Sequence, residues 1–156
     1  MQFGLYPSAM ASFSYERQVA APPETVFGVM TDHRRYAEIT PLRRSELERE
    51  GKTTPNGVGA IRVLGLAGPP LREEVLAYEE PSRFSYTLLS GLPVRDHVGT
   101  IGLTPRDGGT KVIYTVRTMP TVPLVGAVVV GVIKLGVSQL LSGIATESER
   151  LAAANG

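Results

Sequence analysis

Five polar side chains stand out because their neighbours are largely apolar: Arg62, Glu73, Tyr86, His97 and Tyr114. A glutamate or histidine enclosed by hydrocarbon has its pKa moved by burial and can act as a general acid or base. An arginine beside it can steady an enolate, or hold a carboxylate or phenolate. With Glu73 or His97 as the catalytic group, that is the chemistry of an aromatising cyclase or dehydratase. It is equally the chemistry of plain recognition of an amphipathic ligand, and no residue pattern separates the two. His97 also fits an ordinary hydrogen-bonded core histidine, and the tyrosines fit packing residues whose hydroxyls need partners.

Turn chemistry brings two of these residues together. With a turn centred on Gly68, antiparallel pairing of 57–66 with 71–78 sets Arg62 opposite Glu73, Leu64 opposite Leu71 and Ala60 opposite Val75. One face of this hairpin is Ala60, Arg62, Leu64, Leu71, Glu73, Val75 and Ala77, mostly apolar with one opposite-charge pair in its middle. The other face carries Ile61, Val63 and Leu76 beside Arg72, Glu74 and Tyr78, so alternation alone leaves the inward face open. A solvent-facing Arg–Glu pair would contribute only roughly a few tenths of a kcal/mol. On 83–90 the more apolar face holds Phe84, Tyr86 and Leu88; on 94–104 it holds His97, Gly99, Ile101 and Leu103; on 110–118 it holds Thr110, Val112, Tyr114 and Val116.

The elements that must position these groups follow from periodicity. Alternation predicts a first strand over 12–19. Pro22 and Pro23 open a short helix with Glu24 at its positive end, and Val26, Phe27 and Met30 form its buried side. Thr31 and Asp32 suit the cap of a second short helix over 33–38, ended by Pro41. Strands are predicted over 43–50, 57–66, 71–78, 83–90, 94–104 and 110–118, joined by connectors short enough to permit only antiparallel neighbours. Charge on 43–50 suits an exposed edge.

From 123 to 151 the spacing predicts one long helix. At about 100° per residue, Val125, Val128, Val129, Ile133, Val137, Leu140, Leu141 and Ile144 share a broad face, with Lys134, Ser138, Ser142 and Glu149 opposite. Gly126 and Gly136 fall on the apolar side, where missing volume would suit a ligand cavity. The run 122–145 is also long enough to cross a bilayer, although its polar stripe and central Lys134 argue against a lone spanning helix.

Composition bounds the rest. The 156 residues suit one domain, and a formal net charge of +1 offers no global attraction for nucleic acid. Absence of cysteine excludes thiolate metal sites and thiol catalysis, and His33 and His97 lie far apart, so we expect no metal. Arg34, Arg35, Arg43 and Arg44 are interleaved with Glu38, Glu46, Glu48 and Glu50, which reads as a compensated surface. The segment 57–60 opens a strand instead of bridging strand and helix, which rejects a dinucleotide loop. No leader with a basic and then an apolar stretch opens the chain, so a cytoplasmic protein is expected. Residues 1–11 lack any pattern and are expected to be a loose tail before a single domain over 12–153.

Strand, two short helices, six strands and a long helix make an α+β fold. That order resembles the START-like helix-grip (SRPBCC) superfamily, particularly its polyketide cyclase/dehydrase and lipid-transport-like members. Local likenesses support it: residues 19–27 with Asp32 and Tyr36, then 57–62, 72–75 and 109–112. The resemblance spans roughly 12–151 and implies a seven-stranded antiparallel sheet curled around the C-terminal helix. It also implies a ligand cavity between them, with Arg62 and Glu73 turned inward. Because members include carriers, receptors, cyclases and co-chaperones, it fixes fold better than activity.

The expected function is binding of a hydrophobic or amphipathic molecule, such as a lipid, polyketide or isoprenoid, with no cofactor. Candidate ligand-binding residues are Arg62, Glu73, Phe84, Tyr86, His97, Tyr114, Val129, Ile133 and Val137. The alternatives are a cyclase/dehydratase using Glu73 or His97, and membrane association through 122–145.

Overall fold

The computed structural model describes residues 9–65 and 67–156. Strand β1 (Ala11–Val19) is followed by α1 (Pro23–Thr31), a 3-10 turn (His33–Arg35) and α2 (Tyr36–Ile39). Then come β2 (Arg44–Arg49), β3 (Ile61–Gly65), β4 (Leu71–Glu79), β5 (Arg83–Ser90), β6 (Val94–Arg106), β7 (Gly109–Pro120) and the long helix α3 (Gly126–Ala154). All strands join one antiparallel sheet in the order β1-β7-β6-β5-β4-β3-β2. Except for β1, which crosses to β7, each strand pairs with its neighbour in sequence. This is the α+β helix-grip arrangement expected from the sequence.

Local chemistry explains the joints. Asp107 and Gly108 both take positive φ, 52° and 76°, which is what a two-residue hairpin between β6 and β7 demands. Gly68 supplies φ 87° at the β3–β4 turn, and the pairing of Arg62 with Glu73 and Leu64 with Leu71 follows. Val75 N–H donates to the Ala60 carbonyl, so the third expected partnership holds as well. Strand β3 is shorter than expected because Gly59 turns at φ 88°, which makes 57–60 a bend leading into the strand. The expected strand end at Leu66 and most of the expected tail, 1–8, lie outside the described residues. The expected cap is not formed. Thr31 Oγ1 donates back to the Phe27 carbonyl inside α1, and the Asp32 carboxylate lies 3.5 Å from Arg35 Nε instead of receiving a backbone N–H.

Helix α3 lies across the concave side of the sheet. Ile133, Val137, Leu141 and Ile144 are buried in one core with Val26, Phe27 and Met30 of α1 and with Phe84, Ile101, Val112 and Val116 of the sheet. The polar side of α3 runs along edge strand β1. Lys134 Nζ sits 5.6 Å from the Phe13 ring centroid, Arg17 Nη1 donates to Ser142 Oγ at 2.9 Å, and Ala20 N–H donates to Glu149 Oε1 at 3.1 Å.

Two expectations about this helix are corrected. Val125 and Val128 do not share the buried face: the helix starts at Gly126, and the buried sector is centred on Ile133, Val137 and Ile144, which turns both valines outward. Nor do the glycines open a cavity into the buried core, although Gly126 lines a cleft at the start of the helix beside Ala11 and Pro120. Gly136 is exposed and a Cβ there would meet nothing within 4 Å, whereas a Cβ on Gly126 would rest on Pro120 at 3.4 Å.

The glycine that matters structurally is Gly143. A Cβ there would sit 2.3 Å from the Ile39 carbonyl oxygen, so α2 docks on α3 only because no side chain intervenes. Gly143→Ala is expected to cost about 1–3 kcal/mol through overpacking. Gly131→Ala, open to solvent, should instead stabilise α3 by up to about 1 kcal/mol. Denaturant melts of the two variants should shift in opposite directions; a stabilising Gly143→Ala would show that α2 is not seated as described.

Candidate functional site

The inner faces of β3 to β7 converge on one buried polar cluster. Arg62 is only 2% exposed, yet carries a full charge. Its Nη2 donates to Glu73 Oε2 at 3.0 Å across the β3–β4 pair, and its Nη1 reaches Tyr36 Oη at 3.4 Å. Tyr36 in turn donates its hydroxyl to the Met30 carbonyl, so the oxygen is left free to accept from Arg62. The guanidinium carbon lies 5.5, 5.2 and 4.9 Å from the ring centroids of Tyr36, Phe84 and Tyr86. These are cation–π distances, and in a desolvated setting each such contact contributes about 2 kcal/mol. One nitrogen is left without any bond: Arg62 Nε is buried and has no partner among the described residues.

Beyond Arg62 the cluster continues through rings. Tyr86 Oη and Tyr114 Oη are 2.5 Å apart with their rings edge-on at 82°. The His97 ring lies 6.1 Å from Tyr86, and its Nδ1 is 3.0 Å from Thr118 Oγ1. Strand β6 makes room for this. A Cβ on Gly99 would fall 2.3 Å from Tyr86 Cζ, so the phenol lies flat across a backbone that only glycine leaves bare.

Burial decides the protonation states. It raises the pKa of Tyr36, Tyr86 and Tyr114, with the charge of Glu73 adding to the effect, so all three remain phenols. It lowers that of His97 against the pull of Glu73, leaving a neutral imidazole at pH 7. For Arg62, burial alone would lower the pKa, but the combined fields of Glu73 and the three tyrosines outweigh it and hold the value above that of an ordinary arginine. The site therefore offers one fixed cation, one neutral imidazole and two coupled phenols.

The structure brings Arg62, Glu73, Phe84, Tyr86, His97 and Tyr114 together, with Ile133 and Val137 buried in the same interior and Val129 half-buried against it. Three further members come from outside the sequence reading. In the sequence Tyr36 is only part of a motif, His33 one of two histidines far apart, and Thr118 the last residue of a strand. His33 is buried, with Nε2 unpartnered. Burial and then the charge of Arg62 lower its pKa to about 4, against the opposing influences of Asp32 and a hydrogen bond to the Thr31 backbone. No short-range signal marks these residues, because a helix of four residues and a strand end reach the site only through tertiary packing.

Two clefts flank α3. One of about 540 Å³ runs between α2 and α3, lined by Glu38, Ile39, Ser142 and Glu147 among others; the other, about 700 Å³, lies beside the start of α3 against Ala11, Pro120 and Val130. Neither is lined by any residue of the Arg62 cluster, whose rings close over the guanidinium.

Among known proteins, the profile of the polyketide cyclase/dehydrase and lipid transport family matches residues 10–149. The fold is shared with Zhui aromatase/cyclase from Streptomyces sp. R1128 (20% identity, 95% of this chain and 99% of that one, TM-score 0.74). It is shared with a START superfamily protein from Mycobacterium smegmatis (17%, 91% and 98%, TM-score 0.72) and with Ara h 8.0201 (18%, 90% and 98%, TM-score 0.75). No curated protein gives a significant match. At these identities the structural likeness speaks for fold alone.

Proposed function

The chain belongs to the polyketide cyclase/dehydrase and lipid transport family, and from that premise we propose that it binds a hydrophobic or amphipathic small molecule, such as a lipid, polyketide or isoprenoid. The molecule lies between the sheet and α3 and presents an anionic or carbonyl oxygen to Arg62. One observation carries this reading: Arg62 Nε is a buried donor without an acceptor. An unmet buried donor costs about 1–3 kcal/mol, more when charged, and a ligand oxygen would remove that cost. Phe84, Tyr86 and Tyr114 on the sheet, with Val129, Ile133 and Val137 on α3, supply apolar walls for the remainder of the molecule. Because the rings now close over Arg62, uptake requires α3 and the sheet to separate locally.

A second reading, a cyclase or dehydratase, is favoured by the neutral His97 within the field of Glu73 and by the likeness to an aromatase/cyclase. In that case His97 or Glu73 moves the proton and Arg62 holds the developing enolate.

Native mass spectrometry of protein purified without detergent tests the binding reading. A discrete added mass, lost on denaturation, is expected for the wild type and should be absent from the double variant Arg62→Met/Glu73→Leu, whose core keeps its volume and charge balance. An adduct retained at full occupancy in that variant would remove Arg62 as the anchor. If His97→Ala keeps the adduct but loses turnover of a linear polyketide, the enzyme reading prevails.

A further inference from the structure

The amino half of α3 presents an apolar surface that nothing among the described residues covers. Leu124 is 99% exposed, Val128 65% and Leu135 61%, with Val122, Val125 and Val132 also exposed around them. At about 100° per residue, Val128, Val132 and Leu135 fall within one narrow sector opposite the buried Ile133, Val137 and Ile144. A surface helix normally turns polar residues to water along such a sector. The carboxyl part of α3 does so, with Ser142, Thr146 and Arg150 exposed; the amino half does not.

Charge is distributed unevenly along the same stretch. Between Arg117 and Glu147 the chain carries one ionisable residue, Lys134, and no carboxylate. Arg95, exposed at the start of β6, joins this end through its contact with Met119, which leads into α3; Asp96 follows it as the one neighbouring acid on that hairpin. The charged groups near this end of α3 are therefore two cations, Lys134 and Arg95, against one acid, Asp96. An apolar helix face rimmed by basic groups is the pattern of a helix lying in the interface of a bilayer, with anionic headgroups meeting the cations.

We infer that the exposed sector of α3, Leu124 through Leu135, docks the protein peripherally on an anionic lipid surface. The helix is long and apolar enough to cross a membrane. Spanning would, however, strip Ile133, Val137, Leu141 and Ile144 from the sheet, so the helix lies on the bilayer with its inner face still in the core. A second copy of the chain fits less well. A stable interface engages about 20–30 residues on each side, more than the six exposed apolar residues of this sector supply. The inference goes beyond the proposed ligand binding and does not depend on it.

Flotation of the full chain with vesicles tests it, using phosphatidylcholine alone and phosphatidylcholine with one-third phosphatidylglycerol. Wild type is expected to float with the anionic vesicles, far less with the neutral ones, and less again in high salt. Val128→Glu/Leu135→Glu should remain at the bottom of the gradient with an unchanged melting temperature, since both side chains already face water. Lys134→Gln should weaken binding about fivefold, as loss of one basic group near such a surface implies. Wild type left at the bottom with anionic vesicles, or a glutamate double variant that floats as well as wild type, would overturn the inference. So would a wild-type dimer in sedimentation that the same double variant disperses, since a second copy would then be the occupant. A ligand found by native mass spectrometry alongside failed flotation would remove only the docking surface.

Discussion

Glu73→Ala is expected to lower the stability of the fold by about 3–5 kcal/mol, a fall in melting temperature of roughly 10 °C for a chain of this size. The cause is not chiefly the lost attraction. The pair lies 3.0 Å apart, almost sealed from water, and removing the carboxylate leaves the Arg62 guanidinium buried with only the Tyr36 hydroxyl and three ring faces for company. Arg62 cannot escape by losing its proton, because a guanidinium stays protonated in proteins. Arg62→Met/Glu73→Leu should recover most of that loss or exceed wild type, because apolar residues of similar volume need no desolvation to be compensated. The double-mutant cycle therefore has strong coupling, and both variants can be followed by urea denaturation. If Glu73→Ala alone costs less than about 1 kcal/mol, water reaches Arg62 and the cluster is not the sealed group described. Recovery of stability in the double variant would show that the pair favours the fold less than apolar residues do, and would support the proposed binding role over a folding one.

How much of this was legible in the sequence depended on range. The opposition of Arg62 and Glu73 was legible because a turn at Gly68 fixes the register of a hairpin, and side chains alternate strictly from there. The inward face was not, since Arg72, Glu74 and Tyr78 made the other side just as mixed; packing of Arg62 against Tyr36 of α2 and the rings of β5 decides it, and only the family resemblance pointed the right way. His97 and Tyr114 were legible from the apolar company they keep on β6 and β7. Tyr36 was not, because what places its ring on Arg62 is the close docking of α2 on α3 that Gly143 permits, a contact over a hundred residues away in sequence. The amino half of α3 misled for the opposite reason. Val125 and Val128 are as hydrophobic as core residues, and periodicity assigns such residues to a core. The buried stripe instead runs through Ile133 and Val137, and the valines lie on the far side of the helix from it.

Acid should begin to destabilise the protein below pH 6.5, with His33 a principal cause. In the folded chain its pKa lies at about 4, and in the unfolded chain at the ordinary 6.5. Above pH 6.5 both states hold a neutral ring and His33 contributes no pH dependence. Between 6.5 and 4 the unfolded chain takes up a proton that the folded chain refuses, so stability falls as pH falls, by up to ~1.4 kcal/mol per pH unit and about 3 kcal/mol in all. His97, shifted in the same direction, adds to the slope. The carboxylates with lowered pKa, Glu48 and Glu147, start from 4.5, so the window from 6.5 to 4.5 belongs to the histidines. His33→Leu, which retains an apolar group in the same buried place, should flatten urea midpoints across that window; an unchanged slope would remove His33 as the acid-labile group. Because the charge of Arg62 helps to hold His33 neutral, Arg62→Met/Glu73→Leu should raise the folded-state pKa of His33 and narrow the same window. An anionic ligand oxygen on Arg62 would act in the same sense as that substitution, so ligand occupancy should be readable as a shallower acid limb.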